Sequence, residues 1–220
     1  MDSAASRLAA VNVRIAHACE VAGREPDEVT LVAVSKTHEA GAIEPLLAAG
    51  HRVFGENRVQ EAQAKWPAMR EGWPDAELHL VGSLQSNKAD DAVALFDCIH
   101  SLDRPSLVKA LARAFDKAGR QVPCFVQVDV GEEPQKGGCA IAALPELLRQ
   151  AREAAIPVTG LMCVPPLGIE PTPFFALLDK LARDNGLGKR SMGMSGDFET
   201  AIMLGATHVR VGTALFGERG

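Results

Sequence analysis

The 220-residue sequence contains no tyrosine, so no phenol is available anywhere in the chain for acid–base chemistry. It has no C-x-x-C pair either. Cys19, Cys98, Cys124, Cys139 and Cys163 are scattered and odd in number. That pattern suggests neither a disulfide framework nor a zinc site, and points to reduced, mostly buried thiols in a cytoplasmic protein. The six histidines show no metal-ligand spacing. The net charge is −5 and no basic block occurs, so no nucleic-acid partner is expected. Met1-Asp2-Ser3-Ala4-Ala5-Ser6-Arg7 lacks the basic start and apolar run of a signal peptide. No apolar stretch is long enough to span a bilayer, so no membrane association is expected. No long linker, low-complexity tract or repeat divides the chain, and residues 1–220 read as one domain.

What is present is an alternation. An amphipathic helix over 4–21 places Leu8, Val11, Ile15 and Ala18 on one face. Eight short, β-branched runs follow, at 30–35, 52–55, 78–82, 98–101, 124–130, 158–162, 190–194 and 207–211. Seven helical stretches lie between them, at 40–49, 57–70, 86–95, 104–119, 141–155, 172–185 and 197–205. Strands alternating with helices indicate βαβ units and a parallel sheet. Eight of them indicate an α/β protein closed into a single (β/α)8 TIM barrel. An open doubly wound sheet would place a glycine-rich turn after its first strand, and here that strand ends in Ser35-Lys36-Thr37. The extra N-terminal helix can fill the outer-ring place of a missing eighth helix.

In such a barrel, functional groups sit at the C-terminal ends of the strands. Lys36 follows the first strand, Asn57 the second, Ser195 the seventh, and Gly212 and Thr213 the eighth. A lysine at an apolar barrel mouth is partly desolvated, which favours the neutral amine that attacks an aldehyde; the plain alternative is a solvated strand-end lysine. Ser195-Gly196-Asp197 is either a helix cap or part of a phosphate site with the Gly212-Thr213 loop. Arg210, between Val209 and Val211, points into the barrel if those valines pack outward. It then needs a partner, such as a barrel carboxylate like Asp129. Asn57-Arg58-Val59-Gln60 also fits a capping box. His79, within an apolar strand, reads as a core histidine. Lys136-Gly137-Gly138 is either a lid or a plain loop.

These segments, taken in order, resemble one family. They are Val32-Ala33-Val34-Ser35-Lys36-Thr37, then FGENRVQE at 54–61, HLVGSLQSNK at 79–88, GLM at 160–162, SMGMSGD at 191–197 and VRVGTALFG at 209–217. Each is modest alone. As an ordered set they resemble the pyridoxal 5′-phosphate (PLP) binding proteins, also called PLP homeostasis proteins. Leu78 stands where an aromatic is frequent, and the loop 131–136 differs from the usual wording. The resemblance implies an alanine-racemase-like, fold-type III PLP-binding barrel. It implies PLP held as a Schiff base on Lys36, with Ser195, Gly212 and Thr213 at the phosphate, Arg210 facing the pyridine nitrogen and Asn57 lining the pocket. It further implies a cytoplasmic role in PLP homeostasis and amino-acid balance, with PLP-dependent apo-enzymes as partners. No interface stands out, so a monomer is expected.

The competing reading is a PLP-dependent amino-acid racemase. An arginine at the ring nitrogen has only donors and favours an unprotonated, poorer electron sink. Alanine racemase is similar in that respect, but it uses a tyrosine from a second domain as its second base, and this chain has neither. A non-enzymatic protein is therefore the favoured reading. A PLP-independent Schiff-base aldolase would carry its lysine on a later strand. Lys65, Lys136 and Lys189 are open as secondary PLP hosts.

Overall fold

The computed structural model describes residues 3–133 and 137–217. The chain opens with helix α1 (Ala4–Ala22), then alternates through β1 (Thr30–Val34), α2 (Ala40–Ala48), β2 (Val53–Glu56), α3 (Val59–Gly72), β3 (Glu77–Leu80) and α4 (Ala89–Leu95). It continues with β4 (Cys98–Leu102), α5 (Pro105–Ala118), β5 (Cys124–Gln127), α6 (Leu144–Glu153), β6 (Val158–Met162) and α7 (Thr172–Asp184). The last elements are β7 (Lys189–Met194), α8 (Phe198–Met203), β8 (His208–Val211) and the single turn α9 (Thr213–Phe216). Strands hydrogen-bond in sequence order, all parallel where paired, and β8 closes on β1, with Val32 opposite Arg210. The (β/α)8 barrel read from the alternation is the observed fold.

All eight strand runs form. Their ends shift for local reasons. The fifth run stops at Gln127: Val128 N–H still donates to Met162 O at 2.8 Å, but its bridge partner is Cys139, outside the strands. Stretches 86–95 and 141–155 open with 3-10 turns, Ser86–Lys88 and Ile141–Ala143, before the α-helices begin. The turn α9 has no counterpart in the sequence reading.

The N-terminal helix takes the place in the outer ring that α9 is too short to fill. Ser3 Oγ accepts the Ser6 N–H at 3.1 Å at one end, and Gly23 closes the other with φ +64°. Leu8, Val11, Ile15 and Ala18 are buried, each larger aliphatic contributing roughly 1.5–3 kcal/mol. Polar ties stitch α1 to the end of the chain. Arg14 grips Glu199 of α8 with two bonds, at 2.9 and 2.8 Å. Arg7 donates to the Leu215 carbonyl in α9. Arg24 donates to Ile202 and Ala206 carbonyls.

All five cysteines are free and buried. No helix among the described residues is long and apolar enough to cross a membrane.

Candidate functional site

The mouth of the barrel, at the C-terminal ends of β1, β2, β7 and β8, holds a cavity of about 480 Å³. Lys36, Asn57, Ser195, Arg210, Gly212 and Thr213 all line it. The fold thus brings together six residues spread over 178 positions of sequence (213 − 36 + 1). Apolar wall comes from Val34, Val81, Val164 and Met194. His38, not singled out in the sequence, also lines the cavity and stacks on Phe216 at 4.5 Å. Its only sequence signal is its closeness to Lys36.

Lys36 leaves β1 in a tight turn. His38 N–H donates to Ser35 O at 3.1 Å, and Thr37 adopts φ +64°, a strained value for a β-branched residue that its surroundings must hold. The Thr37 N–H donates to Glu61. Beneath the turn lies a buried network centred on Glu56, which has no solvent exposure. Its Oε1 accepts from Ser35 Oγ at 2.5 Å and Trp66 Nε1 at 3.1 Å. Lys65 Nζ lies 2.8 Å from the same oxygen and donates to Ser35 O and His38 O, both at 2.9 Å. Among the described residues, Lys36 makes no side-chain hydrogen bond or ion pair.

The other two lysines considered as hosts are placed differently. The Lys65 ammonium is occupied as just described. Lys189 begins β7 at the end of the barrel away from the cavity. Lys136 lies outside the described residues.

The loops after β7 and β8 are joined directly. Gly212 N–H donates to Ser195 Oγ at 3.2 Å. Ser195 is not a helix cap: α8 starts at Phe198, and Asp197 Oδ1 turns back to accept Met194 N–H at 2.6 Å. Gly193 makes this path possible, with φ +92° and a position where a Cβ would lie 2.6 Å from the Ala201 Cβ. The capping box considered at Asn57 does not form either. Arg58 flanks α3 and makes no side-chain cap. Asn57 is instead held against Gly82, where any Cβ would fall 2.3 Å from the Asn57 carbonyl oxygen.

Arg210 does not pair with Asp129. Its Nη1 donates to Ser191 Oγ at 2.7 Å and its Nη2 to Cys163 O at 2.8 Å. No carboxylate among the described residues is within ion-pair distance. The reason is topological: β6 and β7 lie between β8 and β5, and the guanidinium is taken up by Ser191 on β7 and Cys163 just past β6 before it can reach the end of β5. Asp129 N–H meanwhile donates to Cys139 O at 2.9 Å. Arg210 is 5% exposed, and burial pulls its guanidinium below the usual range. A buried cation with two neutral acceptors keeps further N–H groups for an acceptor in the cavity.

Below the cavity, His79, Cys98 and His100 place one ligand-type atom each within 4.8 Å of one another. His100 Nε2 and His79 Nδ1 are hydrogen-bonded at 3.1 Å, and burial pushes the Cys98 thiol up to about 12. A metal there would have to break that bond and displace a proton from a buried thiol. His79 is thus a satisfied core histidine. Ser191 and His100 are polar residues around the site that sequence reasoning missed, and the supporting roles of Glu56 and Lys65 were not read from it either.

Known proteins match this arrangement. Residues 7–220 match the family model described as alanine racemase, N-terminal domain. A pyridoxal phosphate homeostasis protein of Aquifex aeolicus is 40% identical over 227 residues, covering 99% of each chain. The structure of PipY from Synechococcus elongatus, solved with PLP bound, is 40% identical, with a TM-score of 0.83 over 97% of this chain and 100% of that one. Alanine racemase of Clostridium difficile shares the fold at 15% identity and a TM-score of 0.71, with 94% of this chain matching 56% of that chain. Full-length identity to the first two and the shared barrel lead to one conclusion: the chain belongs to the pyridoxal phosphate homeostasis protein family, built on the alanine racemase N-terminal domain.

Proposed function

We propose that this chain is a non-enzymatic PLP-binding protein that holds the cofactor as a Schiff base on Lys36 and serves PLP homeostasis and amino-acid balance. The observation that carries the reading is the convergence of all six predicted residues on one cavity, with an unpartnered lysine on its wall. The residues present fit the cofactor. Lys36 offers a free amine to the aldehyde. The Ser195–Gly212 pair and Thr213 offer hydroxyl and N–H groups to the phosphate. Arg210, a donor with no acceptor lone pair, suits an unprotonated ring nitrogen. The PLP-bound relative at 40% identity supports the same reading.

When bound, PLP supplies an electrophilic aldehyde and an electron-withdrawing ring. The residues around it favour holding over turnover. Arg210 cannot give the ring nitrogen a carboxylate partner. The sequence contains no tyrosine to act as the second base of a racemase. The same reading takes the chain as a cytoplasmic monomer that hands PLP to PLP-dependent apo-enzymes.

The test is an absorption spectrum of the protein with added PLP, before and after borohydride, followed by peptide mapping. A visible-edge band that reduces onto Lys36, and is lost in Lys36→Ala, supports the reading; reduction spread over surface lysines rejects it. Chiral analysis after incubating the loaded protein with L-alanine decides the enzyme question, since fast appearance of D-alanine would make it a racemase.

A further inference from the structure

Arg210 is one end of a buried polar chain that crosses the barrel lumen. Its Nη1 donates to Ser191 Oγ on β7 at 2.7 Å. Ser191 Oγ lies 2.8 Å from His100 Nδ1 on β4, and His100 Nε2 lies 3.1 Å from His79 Nδ1 on β3. His79 Nε2 faces Glu77 at 3.8 Å, at the start of β3, too far for a hydrogen bond. Ser191 and His100 have no solvent exposure, and the His100 ring is stacked on Phe125 at 4.4 Å.

Only one proton arrangement gives the hydrogens of both Ser191 and His100 an acceptor. Ser191 has one hydrogen to give. If His100 carried its proton on Nδ1, the serine oxygen would receive two donors and its own hydrogen would have no acceptor among the described residues, at a position without solvent exposure. His79 Nδ1 would then have to donate, turning its Nε2 lone pair toward the Glu77 carboxylate. In the opposite arrangement Arg210 donates to Ser191, Ser191 to His100 Nδ1, His100 Nε2–H to His79 Nδ1, and His79 Nε2–H faces Glu77. Burial agrees with this arrangement: it holds His100 well below the usual histidine range, so the ring carries one proton.

We propose that His100 and His79 are positioning residues for Arg210: fixed as Nε2–H tautomers, they orient the Ser191 hydroxyl as a permanent acceptor and so lock the guanidinium at the cavity wall. The structure thereby supplies a neutral, one-directional support for a buried cation that has no carboxylate partner. Its consequence for the bound cofactor rests on the PLP reading above. With PLP bound, the locked guanidinium would offer an N–H to the ring nitrogen and favour that nitrogen as an acceptor.

The experiment has two arms. On PLP-free protein, long-range proton–nitrogen NMR of labelled histidines should show His100 and His79 protonated at Nε2 and bare at Nδ1. Protonation of His100 at Nδ1 overturns the proposal, whatever the protein binds. With PLP, His100→Leu should shift the absorption band and weaken binding about tenfold, the effect of loosening one charge-assisted bond. His100→Asn, which keeps an acceptor where Nδ1 stood, should restore both. Ser191→Ala, which is small enough to be accommodated, should reproduce the His100→Leu band. The double variant should be no worse than the worse single one. Wild-type spectra and affinity in His100→Leu and Ser191→Ala overturn the proposal. Failure of the wild-type protein to form any Lys36 adduct overturns the cofactor reading instead, and leaves the NMR result to decide the tautomers.

Discussion

Lys65 clamps the turn that carries Lys36: its Nζ lies 2.9 Å from the carbonyl oxygens of Ser35 and His38, on either side of Lys36, and 2.8 Å from the buried carboxylate of Glu56. One lysine is immobilised so that the other can be presented. Removing one member of a buried pair strands the other charge. Lys65→Met should therefore lower the unfolding free energy in urea by about 3–5 kcal/mol. Replacing both partners by apolar residues should recover much of that loss. A cost under 1 kcal/mol for the single change would show the clamp to be peripheral.

Arg210→Gln should leave the Lys36 adduct formed while moving its absorption maximum. Glutamine keeps a donor but loses the permanent charge that the Ser191 and Cys163 acceptors face. An unchanged spectrum places Arg210 away from the ring.

Ser195→Ala should weaken PLP retention by roughly 1–2 kcal/mol, the scale of a hydrogen bond to a charged group. The fold should barely notice, because Ser195 ties Gly212 and caps no helix. A change in melting temperature without a change in PLP affinity would reverse that assignment.

Gly82→Ala tests how Asn57 is placed. The new Cβ would fall 2.3 Å from backbone oxygen and 2.7 Å from the Cα of Asn57, so the turn must shift at a cost of about 1–3 kcal/mol. Both thermal stability and PLP affinity should drop. Loss of stability alone would mean that Asn57 is not needed in the cavity.

The barrel interior should also resist acid poorly. Burial holds His208 down at about 3, and His100 well below the usual range. In the unfolded chain both titrate near about 6.5. Between those values the unfolded state binds protons that the folded state refuses, so stability falls as pH falls. The slope is about 1.4 kcal/mol per pH unit for each such histidine. Urea midpoints at several pH values between 7 and 4 check this, and His208→Gln should flatten the curve. An unaltered slope would assign the effect to other groups.

The barrel and the cavity wall were legible because each leaves a local mark. β-branched runs become strands, and Lys36, Ser195 and Gly212 fall at strand ends where side chains meet. The supports behind them were not legible. Glu56 and Lys65 are nine positions apart on different elements, and only the course of α3 over β2 brings them together. Ser191, after Lys189-Arg190, and His100, beside Ser101, carry no mark of pairing across the barrel, because a lumen-facing position has no periodic signature of its own partners. The Asp129 expectation failed for a related reason. Strand count tells that a carboxylate lies in the barrel, but not that acceptors on β7 and just past β6 take up the guanidinium first. The helix ends moved where Asp197 and Arg58, rather than Ser195 and Asn57, flank the first turn.

The fit of α1 against α8 and α9 has a consequence for biosynthesis. Helix α1 leaves the ribosome well before its neighbours α8 and α9 are made. Until those arrive, Leu8, Val11 and Ile15 lack much of their cover, and β1 lacks its β8 partner. A nascent chain of this kind carries an open seam until α8, β8 and α9 have emerged. Premature termination after β7 would leave both the helix and the barrel edge uncovered, a form suited to chaperone capture or degradation rather than to partial function.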